Sequence, residues 1–204
     1  MSAHMPLRGA HQSGVTLVEV LVSMVIMALG LVSLAALQNF TLRYQLGSVH
    51  RAQLSGLLSD YAERVRSNLA QAPMDAGGSA SSVNYLFGDD WAAQSSAPAA
   101  VSPDCKGTSA CTAPQLAASD MAQWRARVRS ELPRGSVLVT GDAIRGLLVT
   151  FMWADKEYVT SATGDLQQAN TCAAADEGLA EQACCPADAK APKGVRCATF
   201  SVIP

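Results

Sequence analysis

Apolar positions crowd into one stretch near the start of the chain. From Val15 to Leu37 the sequence reads VTLVEVLVSMVIMALGLVSLAAL, with one charge, Glu19, and no proline. A helix rising about 1.5 Å per residue over that run reaches roughly 35 Å, enough for a hydrocarbon core of about 30 Å. A single membrane-spanning helix is expected over 15–37. The pattern then changes character instead of stopping. Leu54, Leu57, Leu58, Tyr61, Val65 and Leu69 recur at helical spacing as one stripe, with Arg51, Asp60, Glu63, Arg64 and Arg66 elsewhere around the axis. One continuous helix from about Val15 to Ala70 is predicted, apolar all round at first and amphipathic over 38–70. Gly30, inside the apolar half, suits a close contact between membrane helices.

Residues 72–114 are rich in Ala, Ser, Gly, Pro and Asp and read as a long connection. Val83-Asn84-Tyr85-Leu86-Phe87 is its apolar island, expected to pin it to the rest of the fold. Thr112-Ala113-Pro114-Gln115 has the spacing of a capping box with proline in the first turn. The helix it opens places Ala117, Met121, Trp124, Val128 and Leu132 on one face. Alternation returns at Val137 and Val139, at Leu147, Val149, Phe151 and Trp153, and at Ala198, Phe200 and Val202, with a turn expected at Gly141-Asp142. Three or four antiparallel strands packed on the amphipathic half-helix give an α+β class. The implied divisions are a leader over 1–14, the apolar helix over 15–37, its amphipathic continuation over 38–70 and a cysteine-rich head over 71–204.

Composition removes several function classes. The formal net charge is -2, and losing Arg8 with a leader makes it one unit more acidic, so no grip on nucleic acid or anionic lipid is expected. Arg125, Arg127 and Arg129 read as a solvated helix face. All three histidines, His4, His11 and His50, precede the head. No glycine-rich phosphate loop and no convergent Ser/His/Asp set is evident. The reading is not an enzyme, with no cofactor and no metal. The six cysteines, Cys105, Cys111, Cys172, Cys184, Cys185 and Cys197, all follow the membrane segment. An even count on one side of a membrane points to disulfides in an oxidising compartment. Of fifteen pairings, Cys105–Cys111 is expected, with Cys184 and Cys185 bonded separately to Cys172 and Cys197.

The chemistry that stands out is Gly14-Val15-Thr16-Leu17-Val18-Glu19, where a polar, acid-free leader meets the helix. A carboxylate inside an apolar span costs roughly 2.5–3.5 kcal/mol at the bilayer centre, so its presence asks for a reason. Cutting after Gly14 supplies one. Val15 would carry a free amine, positive at neutral pH with a reference pKa of about 7.7–8.0, and Glu19 would lie one turn from a helix N-terminus, where the dipole favours an anion. In a bundle, Glu19 of one copy can meet the amine of the next.

Glycine, an apolar residue, Thr, Leu, an aliphatic residue and Glu, running into a membrane helix, resemble the cleavage signal of type IV prepilins. The resemblance implies a pilin-like layout, with the long helix packed on a small antiparallel β-sheet head. It implies cutting between Gly14 and Val15 by a prepilin peptidase, N-methylation of Val15, and assembly guided by Thr16 and Glu19. Val15 stands where most members begin with Phe. Only Arg8 precedes the helix while Arg43 and Arg51 follow it, so charge does not support an N-in topology; that orientation rests on the leader signal. Cys111-Thr112, Gln115-Leu116-Ala117, Asp120 and Gln123-Trp124-Arg125 resemble the head of the PilV-type pilus modification proteins, a group of minor pilins. The implied setting is the bacterial inner membrane with a periplasmic head, then an extracellular pilus. The implied partners are major and other minor pilins and the assembly platform in the inner membrane. A pseudopilin of type II secretion and a membrane-anchored binding module that never polymerises are the alternatives.

Overall fold

A computed structural model describes residues 14–70, 83–107, 110–160 and 162–204, without the side chains of 43, 44 and 46–48. The expected leader up to residue 13 and the first part of the expected connection, through 82, lie outside the described residues. The chain falls into two compact units, one through Leu46 and one over Gly47–Pro204.

Helix α1 runs Leu17–Leu69. In the first unit its apolar part, Leu17–Leu42, is the one helix among the described residues long and apolar enough to cross a membrane, and none of it is buried. Its polar side chains turn inward. The hydroxyls of Ser23, Ser33 and Thr41 donate to the carbonyls of Glu19, Leu29 and Leu37 at 2.7, 3.0 and 2.9 Å. Bonding four residues back keeps these groups satisfied where no water is available.

In the second unit the stripe on α1 meets a second helix and a sheet. Leu54, Leu57, Tyr61 and Val65 are buried, with Leu58 and Leu69 packed at the margin. Helix α2, Ala113–Glu131, begins with Pro114 in its first turn, and the amide of Thr112 donates to Gln115 Oε1 at 2.9 Å. Its Ala117, Met121, Trp124 and Val128, and Leu132 beyond its end, enter the same core. Three strands, β1 (Ser136–Asp142), β2 (Gly146–Ala154) and β3 (Val195–Val202), form an antiparallel sheet in the order β1-β2-β3. The register pairs Val139 with Val149 and Val149 with Phe200. The arrangement is α+β with a pilin-like layout.

Trp124 lies at the centre. Its indole N–H donates to the Leu57 carbonyl at 2.8 Å, and its ring contacts Tyr61 and Phe151 at centroid distances of 4.7 and 5.9 Å. The island Val83–Phe87 is pinned here. Val83 and Tyr85 are fully buried, the Tyr61 hydroxyl donates to the Tyr85 carbonyl at 3.1 Å, and the Tyr85 hydroxyl donates to Asp120 at 2.8 Å. Asp120 also binds Arg64, which pairs with Asp60.

Burial pushes both phenols, Tyr61 and Tyr85, well above their ordinary value. The unfolded chain ionises these groups from about pH 10, so their contribution to stability is complete below that pH and is lost as pH rises beyond it. In an alkaline titration followed at 295 nm, two of the four tyrosines should ionise only together with the loss of the near-UV circular dichroism signal.

Three features depart from the sequence-based expectation. Of the three arginines expected on a solvated face of α2, Arg127 is exposed, whereas Arg125 and Arg129 are half-buried. Arg125 lies 3.5 Å from the Phe87 ring centroid, Arg127 bridges Glu131 and Asp60, and Arg129 donates to the Gln94 carbonyl at 2.7 Å and to that of Ser95. They fasten the connection and α1 to α2. The turn lies one step later than expected: β1 continues through Gly141-Asp142, and Asp142 Oδ1 accepts the amides of Ile144 and Arg145 at 2.8 and 2.7 Å. The sheet is also covered on both faces. Behind it Leu138, Met152, Val195 and Cys197 meet Trp91, Ala169, Cys185 and Ala189 in a second core.

That second core is tied by disulfides. Cys172 joins Cys184 and Cys185 joins Cys197, while Cys105 joins Cys111 in the connection. Replacing Cys185 and Cys197 together by serine opens a loop of sequence separation 12 and should cost on the order of 2–4 kcal/mol. Urea unfolding of the double variant against the parent reads this directly.

Candidate functional site

Gly14, Val15, Thr16 and Glu19 come together at the start of α1. Thr16 caps the helix: its carbonyl accepts the amides of Glu19 and Val20 at 3.1 and 3.2 Å, and its hydroxyl accepts the Glu19 amide at 3.3 Å. Glu19 thus falls in the first turn, where amides without helical partners favour an anion. The capping role of Thr16 was legible in the spacing Thr16-Leu17-Val18-Glu19, which has the form Ser/Thr-x-x-Glu of a helix start.

Everything around this turn faces outward. Val15, Leu17 and Val18 are 72, 76 and 67 % exposed, and the Glu19 carboxylate has no partner among the described residues. A Cβ built on Gly14 meets nothing within 4 Å, and its backbone is not left-handed. Neither packing nor conformation within the chain calls for glycine there. The site has the chemistry of a surface read by other molecules: a small residue before an apolar one, then an acid one turn on and an apolar helix, neither of them covered or paired by the described residues.

The family model described as the prokaryotic N-terminal methylation motif matches residues 9–35. The chain is type IV prepilin-like. Neither a curated protein nor a solved structure matches it. The match spans Gly14, Val15, Thr16 and Glu19 and most of the apolar helix. The motif is one of pilin-type structural proteins, and it supports processing by a prepilin peptidase and anchoring in a membrane by that helix.

The cysteines of this prepilin-like chain lie far along the sequence from Gly14 and Val15. All six are in disulfides, and among the described residues no group of three His, Cys, Asp or Glu side chains is placed to hold a metal ion. What the head offers is shape, with two cores, a sheet covered on both faces and two successive loops each closed by a cystine.

Proposed function

We propose that the chain is a minor pilin of a type IV pilus, of the PilV type, cut between Gly14 and Val15 and N-methylated on Val15. It joins the fibre through Glu19, helped by the Thr16 cap, and acts in pilus assembly or priming, with consequences for adhesion, twitching motility or DNA uptake. Its head folds in the periplasm, where its disulfides form, and is then carried outside. Its partners are the major and other minor pilins and the inner-membrane assembly platform.

The observation that carries this reading is the first turn of α1, where an acid without a partner among the described residues opens a helix whose apolar surface none of those residues covers. A helix that must be covered on all sides, with a charge at a fixed depth, suits a bundle of like helices. Each amine released by cutting then faces a neighbour's carboxylate.

Co-expression with a prepilin peptidase tests the first step. Intact-mass analysis should give a chain beginning at Val15, with a further mass of about 14 Da where a methyl is added, and the protein should co-purify with sheared pili. A chain that keeps its first fourteen residues in the presence of active peptidase overturns the proposal.

A further inference from the structure

A cleft of about 650 Å³ opens in the second unit, lined by residues of α1, β2, β3 and a short helix, α3 (Leu179–Ala183). That volume lies in the range of sites for small molecules, about 300–1,000 Å³. Its apolar lining includes Leu54 from the stripe of α1, Trp153 of β2, Phe200 of β3 and Leu179 of α3. Leu179 is 84 % exposed, and α3 buries none of its residues. An apolar side chain left in water at a cleft gains from a molecule that fills the space beside it.

The cleft is held in shape by covalent links. The cystine of Cys185 and Cys197 forms part of its lining, and Cys184, at the end of α3, is bonded to Cys172. Walls fixed in this way do not have to be ordered by a ligand, which removes one of the costs that oppose binding.

The charge in the cleft is of one sign. Two guanidinium groups line it, and no carboxylate does. Arg196 is engaged, paired with Asp155 at 3.3 Å and lying 4.9 Å from the Tyr158 ring centroid. Arg51 lies one turn before Leu54 on the same side of α1. It is exposed and has no partner among the described residues. One free guanidinium beside apolar walls sets two requirements. A neutral apolar molecule would dehydrate Arg51 without pairing it, and a small hydrophilic anion would leave the walls in water.

We infer that this cleft binds a small amphipathic monocarboxylate, with its apolar body between Leu54, Trp153, Leu179 and Phe200 and its carboxylate on Arg51. The planar guanidinium can donate two parallel bonds to one carboxylate, which fixes the orientation of the molecule. Neither cutting after Gly14 nor entry into a fibre plays any part in this binding.

The test uses the full chain in phosphatidylcholine nanodiscs and 2-naphthoate as the probe, in equilibrium dialysis against nanodiscs without protein. Binding should be saturable, with one molecule per chain. The neutral isostere naphthalene-2-carboxamide should bind at least about tenfold more weakly, as expected for loss of a charge-assisted hydrogen bond, a result that needs no protein variant. Arg51→Gln should weaken 2-naphthoate by a similar factor. Ala183→Phe, which fills the cleft from α3, should abolish binding. Both positions are exposed, so the urea midpoints of the two variants should match that of the parent. Absence of saturable binding overturns the inference. So does equal affinity for the carboxamide, or binding indifferent to Arg51→Gln or to Ala183→Phe, which would place the molecule elsewhere on the chain. A dimer in sedimentation velocity that Arg51→Gln dissociates and 2-naphthoate does not would assign the cleft to a second copy, and also overturns it.

Discussion

Trp124→Ala should cost about 3–5 kcal/mol, the largest stability loss expected of any single side chain in the head. The indole is fully buried and joins all three layers of the main core: Tyr61 on α1, Phe151 on β2, and its own helix α2. Removing it leaves a cavity that these neighbours cannot fill together, because each is held by its own backbone element. It also removes the 2.8 Å bond from the indole N–H to the Leu57 carbonyl, a buried polar link between α2 and α1. Domains of this size are stable by about 5–15 kcal/mol, so the variant should sit near its unfolding threshold. Urea unfolding followed by near-UV circular dichroism should show the midpoint falling with the slope unchanged. Trp124→Phe separates the two contributions, since it keeps most of the ring packing and loses the N–H. A midpoint for Trp124→Ala within error of the parent would mean that the helices are held together elsewhere.

The elements around Trp124 were legible because each has a local signal. The α1 stripe repeats at helical spacing, the Thr112–Gln115 capping box marks the start of α2, and Leu147, Val149, Phe151 and Trp153 alternate along β2. The second core had no such signal. Leu138 and Met152 lie on the opposite face of the same strands, and a strand apolar on both faces shows no alternation to read. Its cover, Trp91, Ala169, Cys185 and Ala189, comes from irregular segments separated by up to a hundred residues in sequence, brought together by distant contacts and by disulfides. Arg125 and Arg129 of α2 were misread for a related reason. Their charge and helical position are visible in the sequence, but the Phe87 ring and the carbonyls of Gln94 and Ser95 that receive them belong to a loop whose path is not. The proposed processing site is the reverse case. Its residues are contiguous, so spacing alone points to it, and the fold contributes mainly the Thr16 cap. The partner of Glu19 is found nowhere in the described chain, because on the proposed reading it is the cut end of another copy.

Glu19→Gln should reduce the amount of the chain in sheared pili at least about tenfold while leaving its processing and its level in the membrane unchanged. Glutamine keeps the shape of the side chain and removes its charge. The helix itself loses only its favourable dipole contact, about 0.3–1 kcal/mol, and the Thr16 cap, which uses the backbone amide of residue 19, stays in place. The loss therefore falls on the contact between copies. At about 4 Å and an effective dielectric near 20 the attraction between a carboxylate and an amine is on the order of 4 kcal/mol before desolvation. Removing one partner leaves the other charge uncompensated in an apolar bundle, which typically costs about 3–5 kcal/mol. Immunoblots of the sheared and membrane fractions, with intact masses to confirm cutting at Val15, separate the outcomes. Normal entry of Glu19→Gln into the fibre would show that the carboxylate is a tolerated charge with no role in docking, and the stagger of the helices would have to be set by shape alone. Loss of cutting instead would place Glu19 in recognition by the peptidase. Loss of incorporation with cutting intact is the result expected of a charge whose partner is made by proteolysis.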